Sequence, residues 1–143
     1  MIWYLIASIL ASTAALFVRR ERQLVLTGIL FYGVQAAFGA AILAGGLYGK
    51  TSAGWFAFDA AGTLFYVLLC VVSAFAYFHS EAYLRGNDLR HIRIYSALLM
   101  LLTTAIAGAY FASNLAVTWI FLEATTLCSA GIIYHRRTAH SLE

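Results

Sequence analysis

A lone carboxylate, Glu123, stands inside the apolar stretch TWIFLEATTLCSAGIIYH, which covers residues 118–135. A charged side chain at the centre of a membrane helix costs roughly 2.5–3.5 kcal/mol on insertion scales, so it is seldom kept without a partner or a function. The protonated form is neutral and costs less, and a buried carboxyl can take up and release protons. Glu123 is therefore a candidate proton carrier. The alternative is a carboxyl that only hydrogen-bonds a neighbouring helix.

Three further side chains could share or support this chemistry. Thr126 lies about one helical turn from Glu123 and offers a hydroxyl, unless that hydroxyl bonds its own helix carbonyl. His79 ends the third apolar stretch and His135 ends the fifth, while a second carboxylate, Asp59, only marks the start of the third. Histidine titrates near neutral pH, so these two are candidates for a proton relay. The alternative is that they are solvated side chains at the membrane surface.

Other residues of the apolar stretches are expected to serve packing and anchoring. Gln35, midway along the second stretch, is a supporting polar residue, for which we expect an interhelical hydrogen bond. A ridge of small residues on the same stretch predicts close approach of a neighbouring helix: Ala36, Ala40 and Ala44. Aromatic side chains near the ends of stretches are typical interfacial anchors: Tyr4, Tyr48, Trp55 and Tyr110.

The amino-acid composition indicates the class of protein to which this chain belongs. Of 143 residues, 63% are hydrophobic, 10% are charged and none is proline, whereas soluble domains carry about 25% charged residues. A helix needs roughly 20 apolar residues to cross a bilayer, and five stretches approach or exceed that length: 2–18, 24–48, 58–78, 94–113 and 115–134. We therefore expect an all-α membrane protein, a single transmembrane domain over residues 1–143 with five transmembrane helices.

The basic residues predict the orientation of these helices. Eight of the nine fall after the first, third and fifth stretches, and only Lys50 falls in another connection. By the positive-inside rule the N-terminus is outside and the C-terminus is cytoplasmic, in a multi-pass protein of the cell's inner membrane. Arginines follow the first stretch rather than precede it, so we read it as a retained helix and not as a signal peptide. The net charge of +3 reflects this topology, and no nucleic acid is expected as a partner.

Neither the cysteines nor the histidines indicate a metal or a cofactor. Cys70 and Cys128 both fall inside apolar stretches, where free cysteine packs as a small apolar side chain. A haem-binding cytochrome is an alternative class, since the chain has four histidines. No predicted span carries two of them, so bis-histidine ligation is poorly supported.

Three segments carry a family resemblance: FAFDAAGTLFYVLLCVVSAFAYFHSEAYL, RIYSALLMLLTTAIAGAYFASNL and LEATTLCSAGII. They resemble the antiporter-like membrane subunits of complex I, Mrp antiporters and energy-converting hydrogenases, most closely the hydrogenase-4 or formate-hydrogenlyase type. The resemblance covers residues 56–143, and its most specific part is LEATTL. It implies that Glu123 is the functional glutamate of the fifth helix and that Asp59 is the acidic residue opening the third. Ser80 and Tyr83 match the family's Ser-x-x-Tyr ending.

The chain departs from this family in length and in one charge. The family continues with further helices and a lysine on a broken helix that pairs with the glutamate, whereas here Lys50 is in a connection and no proline is present. We therefore expect either the N-terminal part of a larger antiporter-like unit or a split or reduced subunit.

Two functions follow from the resemblance. One is a contribution to proton or sodium translocation in a redox-driven complex, with other membrane subunits and the lipid bilayer as partners. The other is a non-pumping structural or assembly subunit of such a complex. In either case the chain itself does no redox chemistry and needs no cofactor.

Overall fold

Five α-helices follow one another in the computed structural model, which describes residues 1–18, 20–45, 47, 49, 51–52, 54–83 and 89–135. The helices are α1 (Ile2–Phe17), α2 (Glu21–Leu43), α3 (Ala60–Tyr83), α4 (Leu89–Phe111) and α5 (Leu115–His135). Two short strands, β1 (Thr51–Ser52) and β2 (Phe56–Ala57), lie between α2 and α3. The expected all-helical architecture is confirmed, with this small hairpin added.

Four of the helices, α2 to α5, are long and apolar enough to cross a bilayer. Helix α1 is apolar but has only 16 residues, fewer than the roughly 20 that a perpendicular crossing needs. The membrane-protein class is thus supported by length and composition for four of the five predicted spans.

Several helix ends differ from the predicted spans. Helix α2 ends at Leu43 rather than at residue 48, because Gly45 adopts a φ of +78° that ends the helix inside an apolar run. Helix α3 continues to Tyr83 and α4 already begins at Leu89. Polar residues with good helix propensity, such as the arginines of α4, extend a helix beyond its apolar part.

The β1–β2 hairpin was not predicted, since its residues lie in an expected loop. Its strands pair antiparallel, with Ser52 opposite Phe56, and Gly54 takes a positive φ of +70° in the turn. The backbone N–H of Ser113 donates to the Trp55 carbonyl at 2.9 Å. The hairpin is therefore tied to the α4–α5 connection, and we call this side of the bundle the hairpin end.

At the opposite end of the bundle, which we call the arginine end, a side chain of α4 is hydrogen-bonded to the end of α1. The guanidinium Nη1 of Arg93 donates to the carbonyl of Val18 at 2.8 Å and to that of Leu16 at 3.3 Å. These carbonyls lie at the C-terminus of α1, where a cation also complements the helix dipole. Arg20, Arg22 and Arg90 are exposed at the same end.

Helix α4 is the centre of the packing and contacts α1, α3 and α5 extensively. Helix α5 packs mainly on α4, and none of its membrane-spanning residues is buried. The alanine ridge of α2 does not mediate the expected contact, because Ala36, Ala40 and Ala44 are exposed. Helices α2 and α3 instead approach where tyrosine rings of α3 cover Gly28 and Gly39.

Candidate functional site

Glu123 lies on the side of α5 that faces away from the other helices. It follows Leu115 by eight residues, which places it about 12 Å along the helix axis and near its middle. The side of α5 that packs on α4 carries partly buried residues, among them Phe121, Ala124 and Cys128. Glu123 is exposed. The sequence did not show which side of α5 carries Glu123, and the structure places it on the side away from α4.

The exposed side of α5, here called the outer face, is apolar around Glu123. Trp119 and Ile120 are each 64% exposed one turn before it, and Leu127 is 71% exposed one turn after it. Glu123 is the one carboxylate in α5. In a bilayer, this face would present a carboxylate to hydrocarbon, where a charge is costly.

The hydroxyls near Glu123 bond their own helix. Thr126 Oγ1 donates to the main-chain carbonyl of Glu123 at 2.8 Å, and Ser129 Oγ donates to that of Thr126 at 2.9 Å. The alternative considered for Thr126 is thus the arrangement observed. Among the residues that the structure describes, none donates a hydrogen bond to the Glu123 carboxylate.

Asp59 is the N-terminal cap of α3. The N–H of Gly62 donates to Asp59 Oδ1 at 3.0 Å, and the hydroxyl of Thr63 donates to the Asp59 carbonyl at 2.6 Å. Such a cap satisfies a backbone donor that the first helical turn leaves free. These bonds give the carboxylate a structural role at the hairpin end, and a role in translocation stays a prediction.

The two candidate relay histidines belong to the arginine end. His79 is exposed near the end of α3. His135 is the last residue of α5, and its side chain lies outside the described part of the structure. A relay from either histidine to Glu123 therefore stays a prediction.

Gln35 forms the expected interhelical hydrogen bonds in the bundle core. It is fully buried, and its Oε1 accepts from the Tyr4 hydroxyl at 2.5 Å and from the Tyr66 hydroxyl at 2.8 Å. The Tyr66 hydroxyl also lies 2.9 Å from the main-chain carbonyl of Gln35. The prediction of Tyr4 as an interfacial anchor is wrong, because its ring is 5% exposed and stacks on Phe38. Tyr48, another expected anchor, lies outside the described residues. Tyr66 was not predicted, because its apolar setting gives no polar signal.

The candidate residues do not converge on one site. Glu123 and Thr126 lie on α5, Gln35 lies where α1, α2 and α3 meet, and Asp59 lies at the start of α3. Within the described ranges no group of three or more metal-ligating side chains is present, and Cys70 and Cys128 are both free. The outer face of α5 is therefore the candidate functional surface.

Comparisons with models of known protein families, with curated proteins and with solved structures find no match to this chain.

Proposed function

We propose that this chain is a membrane subunit, or part of one, that contributes to proton or sodium translocation in a redox-driven membrane complex. The observation that supports this most is Glu123, a carboxylate near the middle of a membrane-length helix and on its exposed face. A carboxylate held at this depth calls for a partner or a function. The resemblance of LEATTL to the antiporter-like subunits of hydrogenase and complex I type implies the function.

Translocation through Glu123 would also require a neighbouring membrane subunit. An isolated carboxyl has no nearby charge to switch it between its protonated and deprotonated states. A partner helix packed on the outer face of α5 would remove Glu123 from lipid and could supply that charge. A non-pumping assembly subunit is the second candidate, and it is favoured by the back-bonded hydroxyls around Glu123.

The function is tested with inverted membrane vesicles from cells that contain or lack this chain. We expect redox-driven proton or sodium uptake to require the chain at equal redox turnover. Equal uptake in both preparations would exclude the translocation function. Loss of the remaining subunits from membranes that lack the chain would instead support the assembly function.

The partner is tested by a photocrosslinking amino acid at position 127, on the outer face of α5. We expect it to form an adduct with another membrane subunit in native membranes, because Leu127 is 71% exposed in the single chain. The control position is Phe121, which packs over Gly108 of α4 and should give an adduct within the chain. Lipid adducts alone at position 127 would argue against a partner on this face.

The proposal includes an orientation with the N-terminus outside and the C-terminus in the cytoplasm, and a fused reporter tests it. Because basic residues alternate between the connections, a reporter fused after Arg137 should behave as cytoplasmic and one inserted at Gly49 as external. The reverse pattern would move His79 and His135 away from the cytoplasmic side and remove their proposed part in proton entry.

A further inference from the structure

Four polar side chains meet inside the bundle where α1, α2 and α3 converge, away from the outer face of α5. Gln35 and Tyr66 are 0% exposed, Ser8 is 1% exposed and Tyr4 is 5% exposed. Tyr66 follows Ala60, the first residue of α3, by six residues, so this core cluster lies about 9 Å below that end of the helix. Lipid hydrocarbon offers no hydrogen bonds at such a depth.

Gln35 is satisfied on one side of its amide only. Its Oε1 accepts hydrogen bonds from both tyrosine hydroxyls, whereas its buried Nε2 has no partner in the described structure. Exchanging the oxygen and nitrogen of the amide would leave a carbonyl oxygen in that same position. In either assignment one polar atom of Gln35 needs a further partner.

Ser8 has the same need one helical turn from Tyr4. Its Oγ is buried and lies beside the Tyr4 hydroxyl, but it makes no well-formed hydrogen bond to any described residue. Ser12, one turn further along α1, instead donates to the Ile9 carbonyl at 2.8 Å, which is the usual way for a helical serine to satisfy its hydroxyl. Residues four apart share a helix face, so Ser8 lies on the same side of α1 as Tyr4.

We propose that the core cluster binds ordered water, held by the amide of Gln35 and the hydroxyl of Ser8. The chemistry selects this ligand. A metal cation is disfavoured by the N–H donor of Gln35, and an anion would be buried with no cationic side chain in the cluster. Water both donates and accepts, and buried waters typically make about three hydrogen bonds to such orphaned groups.

The chain allows a direct measurement, because Gln23 and Gln35 are its only glutamines. The protein, labelled with ¹⁵N at glutamine and placed in deuterated nanodiscs, gives two side-chain amide signals. Gln23 is exposed, so the Gln23→Ala variant assigns them. We expect the Gln35 amide to show a nuclear Overhauser cross-peak to a long-lived water. The absence of any water cross-peak at Gln35 would overturn the proposal.

A matched pair of variants tests the role of Ser8. Ser8→Ala should reduce the Gln35–water cross-peak by at least half, whereas Thr13→Val should leave it unchanged, because the exposed Thr13 hydroxyl bonds its own helix. An unchanged cross-peak in Ser8→Ala would remove Ser8 from the site. A density map that shows ordered water gives an independent measurement. Density at hydrogen-bond distance from both atoms supports the site, and a dry cluster contradicts it.

Discussion

Replacement of Glu123 by glutamine should lower redox-driven ion uptake by about tenfold or more, a modest value for a positioned proton-transfer group. Glutamine keeps the size and polarity of the side chain but cannot titrate. The fold of the chain should not change, because Glu123 is exposed and its carboxylate accepts no hydrogen bond from the residues described here. The measurement is ion uptake by vesicles that hold the whole complex, with redox turnover and subunit content determined in parallel.

Two further variants test whether the carboxyl of Glu123 itself is responsible for ion uptake. Glu123→Asp keeps the carboxyl but withdraws it by one methylene, so it should leave partial uptake. Ser129→Ala is the control on the same helix, because its hydroxyl only bonds the Thr126 carbonyl, and it should pump normally. Normal uptake by Glu123→Gln would exclude Glu123 as the proton carrier. Loss of the chain from the complex would instead show that the carboxyl holds a partner subunit.

Composition predicted the helices well because they are runs of apolar residues, and four of the five are long enough for length alone to identify them. It predicted their ends less well. Residues 44–48 continue the apolar pattern of α2, yet the helix ends at Leu43 because Gly45 turns the backbone to a positive φ. Whether a glycine continues or ends a helix depends on backbone conformation, to which hydropathy is insensitive.

The inward faces of the helices were harder to predict than the helices themselves. In water an apolar stripe marks the core, but in a bilayer both lipid and core are apolar, so the pattern loses its meaning. The alanine ridge of α2 therefore faces outward and Tyr4 faces inward, both against expectation. Gln35 was predicted correctly because a buried amide must find a partner wherever it lies.

The candidate site was likewise easier to identify than to place. Glu123 was identified from the sequence by its charge, because a charged side chain stands out in an otherwise apolar helix. The sequence could not place Glu123 toward α4 or away from it, because both sides of α5 carry small and apolar residues. The exposed position of Glu123 is thus a result of packing, and it directs the search for function to whatever covers α5.

The close approach of α2 and α3 leads to a large expected effect on stability. A methyl group added at Gly28 would collide with the ring of Tyr77, and Tyr77 is fully buried, with its hydroxyl donating to the Leu24 carbonyl at 3.1 Å. The ring cannot move without losing this bond and its packing. Gly28→Ala should therefore lower the free energy of unfolding by about 1–3 kcal/mol, as overpacking usually does.

Gly33 provides the matched control on the same helix. Apart from the adjoining backbone of α2, no atom of the described residues lies within 4 Å of a methyl group placed there. Alanine is favoured over glycine within a helix by about 0.5–1 kcal/mol. Gly33→Ala should thus be neutral or slightly stabilising in reversible unfolding from detergent, followed by circular dichroism. Equal losses in both variants would show that helix α2 responds to any added methyl and that Tyr77 is not the cause. A double-mutant cycle isolates the contact, since the cost of Gly28→Ala should largely vanish in a Tyr77→Ala background, where the ring that the methyl meets is gone.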